Sequence, residues 1–345
     1  MRLGTFLISA LKAPLWVAAI PTGAKSFVGN PVIGSPRLNR WGLHVVRLRA
    51  AASMTRLRRG WLARRVTAER RAAFARDGFV VMPDFLPAAA FERLRAEVLD
   101  APWDAHEMRQ GSTVTRRILL DVAALRQDRP TLAAFLENPD LLALVRYIAS
   151  TGGAPAFSIQ CILANQAGAA DDPQCAVHAD TFHSTAKAWF FLHDVGPEEG
   201  PFLYVPGSHI VTPQRLAWER EQSLSARASA RRDHAEGSFR ISADDLGRLG
   251  LPAPRSIAVR ANTLIVADTF GFHGRTPSPV ATRRIEVYGS LRRNPFMPWT
   301  GLDPLSLPGV KSRVGSALVV LDRLGIARMP WRPVGRIRLD APPRI

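Results

Sequence analysis

The strongest constraint on how this chain folds is its division into short β-like runs by Gly/Pro turns, from Ala156 to Gly207 and again from Ser256 to Gly289. The first stretch reads AFSIQCIL, CAVHADTFH, AWFFLHDV and PFLYVPGSH. Runs of this length, rich in β-branched and aromatic residues and punctuated by turns, are what a jelly roll requires. Helical patterns surround them. Thr67 is placed to cap a helix that stops at Gly78, with Arg70 rather than Glu at the capping-box position. Phe79–Met82 then reads as a strand ended by Pro83. Ala88–Leu99 sets Phe91, Leu94 and Val98 on one helical face, and a further helical stretch covers roughly Leu132 to Ile148. Residues 213–250 are polar and rich in Arg and Ala, a helical insertion. The expected class is mainly β with helical additions: a double-stranded β-helix (jelly roll, cupin-like) core flanked by helices.

At 345 residues the chain fits one domain with extensions. The expected division is a basic N-terminal extension (1–66), a jelly-roll domain (67–300) carrying the insertion, and a C-terminal extension (301–345).

The net charge of +17 is unevenly spread. Residues 1–66 hold twelve cations, among them Lys25, Arg47, Arg58 and Arg59, and neither Asp nor Glu. From Leu43 to Val66 the apolar Val46, Leu48, Leu57, Trp61 and Leu62 are interleaved with arginines. This predicts a helix with one apolar and one cationic face, which is either an ordinary solvated face or a contact with an anionic lipid surface. Leu3 to Ile20 is apolar but interrupted by Lys12 and Pro14, too short a run to span a bilayer; it reads as an amphipathic or interfacial segment, with a processed signal or an ordinary helix packed on the domain as the alternatives. No nucleic-acid partner is expected: beyond Trp41 and Trp61 the basic region lacks interleaved aromatics and matches no reader motif. Cys161 and Cys175 make no disulfide framework, which fits a reducing, cytoplasmic setting, with peripheral membrane attachment through the N-terminus as an extension of it.

The chemistry is carried by His178-Ala179-Asp180. Residues i and i+2 of a strand share a face, so imidazole and carboxylate can meet one metal ion. A second imidazole, His273, follows the strand-like run Asn262–Asp268 and a turn at Gly271. Two His and one carboxylate form a facial triad that leaves positions open on Fe(II). Zinc hydrolysis accepts the same ligands, so the triad alone does not choose the reaction. Arg284 favours an oxygenase. It lies eleven residues beyond His273, on a strand-like run, where a guanidinium can clamp the far carboxylate of a diacid. Arg283 has the opposite strand phase; register decides between them, and Arg284 is preferred.

The run AKAWFFLHDVGPEEGPFLYVPGSH from Ala186 to His209, with H-A-D before it and H-x10-R after it, resembles the phytanoyl-CoA dioxygenase (PhyH-like) family of Fe(II)/2-oxoglutarate oxygenases. So does the opening RDGFVVMPDFLP followed by FERLRAE. The resemblance covers roughly residues 67–300. It implies the jelly roll, Fe(II) held by His178, Asp180 and His273, and 2-oxoglutarate bound at the iron and by Arg284. It also implies O2 as cosubstrate and hydroxylation of a C–H bond with release of succinate and CO2. Glu199-Gly200-Pro201 departs from the family's usual Asn-Gly before Pro, and Val177 and Ala179 replace the aromatic or Gln residues that often flank the ligands. Both departures bear on pocket detail.

Other candidates have plain structural alternatives. Gln160 and Asn165 line the pocket or are paired core amides. His183 lines the pocket or is a hydrogen-bonded histidine. Arg116, with Arg117, faces an anionic substrate at the pocket mouth or does not. Arg292-Arg293 could do the same, or form a solvated pair. Lys187 reads as a surface residue rather than a carboxylate partner, Trp189 as core, and His193 and His209 as structural. The expected substrate is a small or lipid-like molecule. The competing functional classes are a non-catalytic jelly-roll binding or sensing protein and a basic nucleic-acid-associated protein.

Overall fold

The computed structural model describes residues 13–165, 172–301 and 330–345. Among the described residues, eleven strands form two sheets. They are β1 (Phe79–Met82), β2 (Trp103–Gln110), β3 (Thr113–Leu119), β4 (Ala156–Ala164), β5 (Ala186–Phe191), β6 (Phe202–Tyr204), β7 (Arg255–Ile257), β8 (Leu264–Asp268), β9 (His273–Arg275), β10 (Thr282–Leu291) and β11 (Arg332–Ile337). The large sheet has the order β1-β8-β5-β10-β4-β3-β2-β11 and the small one β7-β6-β9. All pairings are antiparallel. This is the expected jelly roll.

Strand alternation divides the large sheet into two faces. Trp189, Phe191, Ile265, Ala267 and Tyr288 point inward and meet Phe202 and Tyr204 of the small sheet, filling the barrel. Their neighbours Phe190, Val266, Ile285, Val287 and Ile159 point outward and join the larger core built with the helices Ala88–Leu99, Pro130–Leu136 and Pro139–Ala149. Phe190, fully buried with its ring centroid 4.5 Å from that of Phe135, stabilises this layer by roughly 2–3 kcal/mol through burial alone. The stretch expected to be one helix from Leu132 is two. Pro139 lacks an N–H and opens the second helix, and the Asn138 side chain caps it. Thr67 caps the helix Ala68–Asp77 by accepting from Arg70 N, and Gly78 ends it at φ 86°. That glycine is required twice over, because a Cβ there would also collide with Tyr204 and His209.

The basic helix Leu43–Leu62 departs from its expected orientation. Its buried face carries His44, Arg47, Leu48, Ala51, Thr55, Arg58 and Leu62, while Trp41, Val46, Leu57 and Trp61 are exposed. Arginine turns inward because the protein offers it acceptors. Arg58 donates to the carbonyls of Ser150, Pro295 and Met297 and to Ser150 Oγ. Arg59 reaches Ile148 O at 2.6 Å, Ser184 Oγ at 3.1 Å and Asp268 Oδ2 at 2.8 Å. These bonds tie the helix to the C-terminal end of Pro139–Ala149, whose last carbonyls need donors. No helix among the described residues is long and apolar enough to cross a membrane; residues 3–12 of the expected interfacial segment lie outside the described residues.

At the other end, β11 pairs with β2 along the sheet edge, with a register shift between Pro333 and Gly335. The insertion contributes the helices Pro213–Ser225, Arg232–Ala235 and Ala243–Arg248. It docks on the basic helix through His44 Nε2, 2.8 Å from Glu219 Oε2, with Arg215 on the other oxygen of Glu219.

Candidate metal centre

His178 and His273 face each other across an isolated antiparallel bridge, each backbone N–H donating to the other's carbonyl at 2.9 and 2.8 Å. His178-Ala179-Asp180 therefore lies beside β9 as a bridge, not within a full ladder strand as its pattern suggests. Asp180 is held by its own N–H bond to Thr269 O. Asp180 Oδ1 lies 3.7 Å from Nε2 of each imidazole. One ligand atom from each of the three residues lies within 4.8 Å of the others.

The tautomer follows from the backbone. His178 Nδ1 is 2.7 Å from Ala176 O and His273 Nδ1 is 3.0 Å from Gly271 O. A carbonyl only accepts, so each Nδ1 carries the proton and each Nε2 presents a lone pair, the arrangement a metal ligand needs. Burial, together with the neighbouring His273, holds the His178 imidazole well below its ordinary pKa and therefore neutral. Burial opposes ionisation of Asp180, but the Lys187 ammonium outweighs it and holds the carboxyl well below the usual carboxylate range. Lys187 Nζ is 2.6 Å from Asp180 Oδ2. The residue expected at the surface is thus a carboxylate partner, because Lys187 shares the inward phase of Trp189 and Phe191 on β5.

Register separates the two arginine pairs. On β10, Arg284 shares the inward phase of Glu286 and Tyr288. Arg283 points outward and donates to Asp340 O. On β3, Arg117 is opposite Gln160 and faces inward, donating to Gln160 Oε1 and stacking on Tyr288 at 4.9 Å. Arg116 is correspondingly on the outer face, which corrects its placement as a pocket candidate. It pairs with Glu107 at 2.7 Å, both side chains fully buried, and donates to the carbonyls of Arg338, Leu339 and Pro342. Asn165 is also displaced from the pocket: it is exposed at the end of β4, at φ 50°, and donates to Pro279 O. Gln160 does face the interior, bridging Arg117 and Glu286.

The barrel interior beyond the triad holds Arg117, Arg275 and Arg284 against Asp172 and Glu286. Arg284 Nε is 2.9 Å from Glu286 Oε2, and Arg275 pairs with Asp172. The Nε atoms of Arg117 and Arg275 are buried without a hydrogen-bond partner, a costly condition that an acceptor entering this space would relieve. Arg117 and Arg275 were not among the predicted cosubstrate residues. The inward phase of Arg117 relative to Gln160, and the H-x-R spacing of Arg275 after His273, are the signals that mark them.

His183 belongs elsewhere. It lines a groove of about 770 Å³ between the basic helix and Ala68–Asp77, with Leu48, Arg59, Phe74, Tyr147 and His209. None of the triad residues lines this groove. His193 is structural: its Nε2 accepts from Ile285 N at 2.8 Å. Trp189 is core, as expected.

Residues 74–238 match the family model of phytanoyl-CoA dioxygenase (PhyH). The matched span includes His178 and Asp180, while His273 and Arg284 lie beyond it. No curated protein matches the sequence. Among solved structures, the non-haem α-ketoglutarate-dependent epimerase SnoN from nogalamycin biosynthesis is 21% identical, covering 70% of this chain and 94% of its own, with a TM-score of 0.44. HygX from Streptomyces hygroscopicus, solved with nickel, 2-oxoglutarate and hygromycin B, is 18% identical, covering 65% and 86%, at 0.41. AviO1 from Streptomyces viridochromogenes Tue57 is 18% identical, covering 70% and 99%, at 0.38. The matched segment is similar to that family, and the grouping of His178, Asp180 and His273 is one that could hold a metal ion.

Proposed function

We propose that His178, Asp180 and His273 hold the iron, that Arg284 with Arg117 and Arg275 receives 2-oxoglutarate, and that the enzyme hydroxylates a C–H bond of a small or lipid-like substrate, releasing succinate and CO2. The observation that carries this reading is the convergence of two Nε2 lone pairs on the Asp180 carboxylate, with both Nδ1 protons already committed to carbonyls. The interior suits a dianion: three arginines face two carboxylates, and two guanidinium Nε atoms await acceptors. Iron(II), when bound, supplies the activation of dioxygen. The protein's own part is to fix the imidazole tautomers, to keep Asp180 ionised beside Lys187, and to orient the diacid along the inner face of β10. Trp189, Phe202 and Tyr288 exclude water from the same interior.

The test is succinate formation by anaerobically purified protein given Fe(II), 2-oxoglutarate and then O2, beside His178→Ala and Arg284→Ala shown to be folded. Metal-dependent 2-oxoglutarate binding is read in the same samples. Succinate that depends on both residues supports the reading; a wild type that binds no 2-oxoglutarate rules it out and leaves a binding or sensing role.

The exposed stripe Trp41, Val46, Leu57 and Trp61, bordered by Arg49, Arg56 and Arg64, favours peripheral attachment of this cytoplasmic enzyme to an anionic membrane surface. Co-sedimentation with phosphatidylserine vesicles, but not with phosphatidylcholine vesicles, is the expected result, and equal recovery with both would end it.

A further inference from the structure

The cations around Asp180 are more numerous than the metal centre needs. Lys187 occupies Oδ2 of that carboxylate, while Lys25 donates to the Asp180 carbonyl at 2.6 Å. Arg292 and Arg240 lie within electrostatic range of both Asp180 and Lys25. Arg240 is matched by Asp233 at 2.6 Å. Lys25 and Arg292 are bound only by carbonyls: Arg292 Nη2 donates to Gly23 O at 2.6 Å. Four cations thus share two carboxylates, before any metal charge is added.

Lys25 arrives on a segment that the rest of the fold clamps in place. Phe27 N and Val28 N both donate to Ala235 O. Arg47 holds the carbonyls of Ile20, Thr22 and Ala24, and Asn294 holds that of Pro21. The segment is preorganised over the Asp180 side of the centre, so presenting a charge there costs little further ordering.

This cluster is distinct from the cosubstrate pocket. Arg284 and Arg292 are eight residues apart along β10 and its exit, roughly 26 Å of extended chain. A five-carbon diacid clamped at Arg284 is too short to reach the other end. Lys25 lies N-terminal to the residues matched by the family model.

We propose that Lys25 and Arg292 bind an anionic group of the substrate, a carboxylate or a phosphate, and that residues 21–28 form one wall of the substrate pocket. The proposal rests on the reading of His178, Asp180 and His273 as the iron ligands. It makes Lys25 and Arg292 specificity-determining residues, and it narrows the substrate to an acid or phosphate ester whose reacting carbon lies near its charged end.

The test uses the full chain loaded with Mn(II) and 2-oxoglutarate, with octanoate, octyl phosphate and octanol as probes and the melting temperature as readout. At least one of the two anions should stabilise the wild type in a saturable way while octanol does not, and the tighter one identifies the group as carboxylate or phosphate. Lys25→Met and Arg292→Met should each weaken that binding about tenfold, as expected for loss of one charged hydrogen bond. Lys25→Arg should restore it, and 2-oxoglutarate binding should be unchanged throughout. Arg49→Met with Arg56→Met, on the exposed face of the basic helix, should have no effect. The proposal is overturned if neither anion binds, if the anions bind no better than octanol, if Lys25→Met and Arg292→Met bind as wild type does, or if the helix variants lose binding equally. Failure of the wild type to bind 2-oxoglutarate with Mn(II) would instead strike the iron reading beneath it.

Discussion

Two sets of buried and half-buried arginines divide the molecule. Arg58 and Arg59 on the basic helix spend their donors on backbone carbonyls, on serine hydroxyls and, for Arg59, on Asp268. Arg117 and Arg275 in the barrel each keep a buried Nε without an acceptor. The same side chain, similarly buried, is a finished structural joint in one region and an open valence in the other. Guanidinium charge is stabilising where its donors are satisfied, and it becomes a recognition element where they are not.

The sharpest division between the regions comes from removing a ligand. His178→Ala should reduce succinate formation more than the ~10–100-fold that loss of an outer-shell partner costs, with the melting temperature of the metal-free protein little changed. Arg284→Met should leave metal binding intact and weaken 2-oxoglutarate by roughly 100-fold, read by titration calorimetry with Mn(II) present. Arg58→Leu should do the reverse. By orphaning carbonyls of Ser150, Pro295 and Met297 it should lower stability by about 2 kcal/mol in urea unfolding while 2-oxoglutarate affinity stays within twofold.

Acid should act on the helix side of the molecule through its groove. Burial lowers His183 to about 3 and His209 to about 4, below the ordinary imidazole value of about 6.5. The unfolded chain therefore takes up these protons first. Their contribution to stability is complete above pH ~6.5 and declines as pH falls toward 4. His209→Phe should flatten that decline in urea midpoints measured between pH 7 and 4.5. The smallest effect belongs to Asn165→Ala, which should cost about 1 kcal/mol through its left-handed backbone and leave 2-oxoglutarate affinity untouched.

The triad was legible in the sequence because its parts are local: a two-residue spacing, a strand-turn before His273, and a fixed interval to Arg284. The preference for Arg284 over Arg283 follows the same strand phase that the fold displays. Arg116 was misplaced because no neighbouring feature fixed the register of β3, and one residue of slip exchanges the barrel for the outer core. Lys187 was misread because its partner is an ion pair across the fold, invisible in a run of apolar neighbours. The basic helix mixes its two expected faces for a related reason. Periodicity weighs apolarity alone, whereas Arg58 and Arg59 are drawn inward by carbonyls from segments about ninety residues away or farther.

The β11 strand has a consequence for assembly order and for colloidal behaviour. It hides the outer edge of β2, and the tail behind it supplies the carbonyls that cap Arg116 over Glu107. During synthesis every residue of the proposed metal centre emerges before this cover exists. A nascent chain that has already brought His178 and His273 together still presents a bare sheet margin, a template for pairing with another copy. Chains shortened before Arg332 should accordingly be lost to edge-to-edge aggregation, even though the residues of the proposed metal centre are all present.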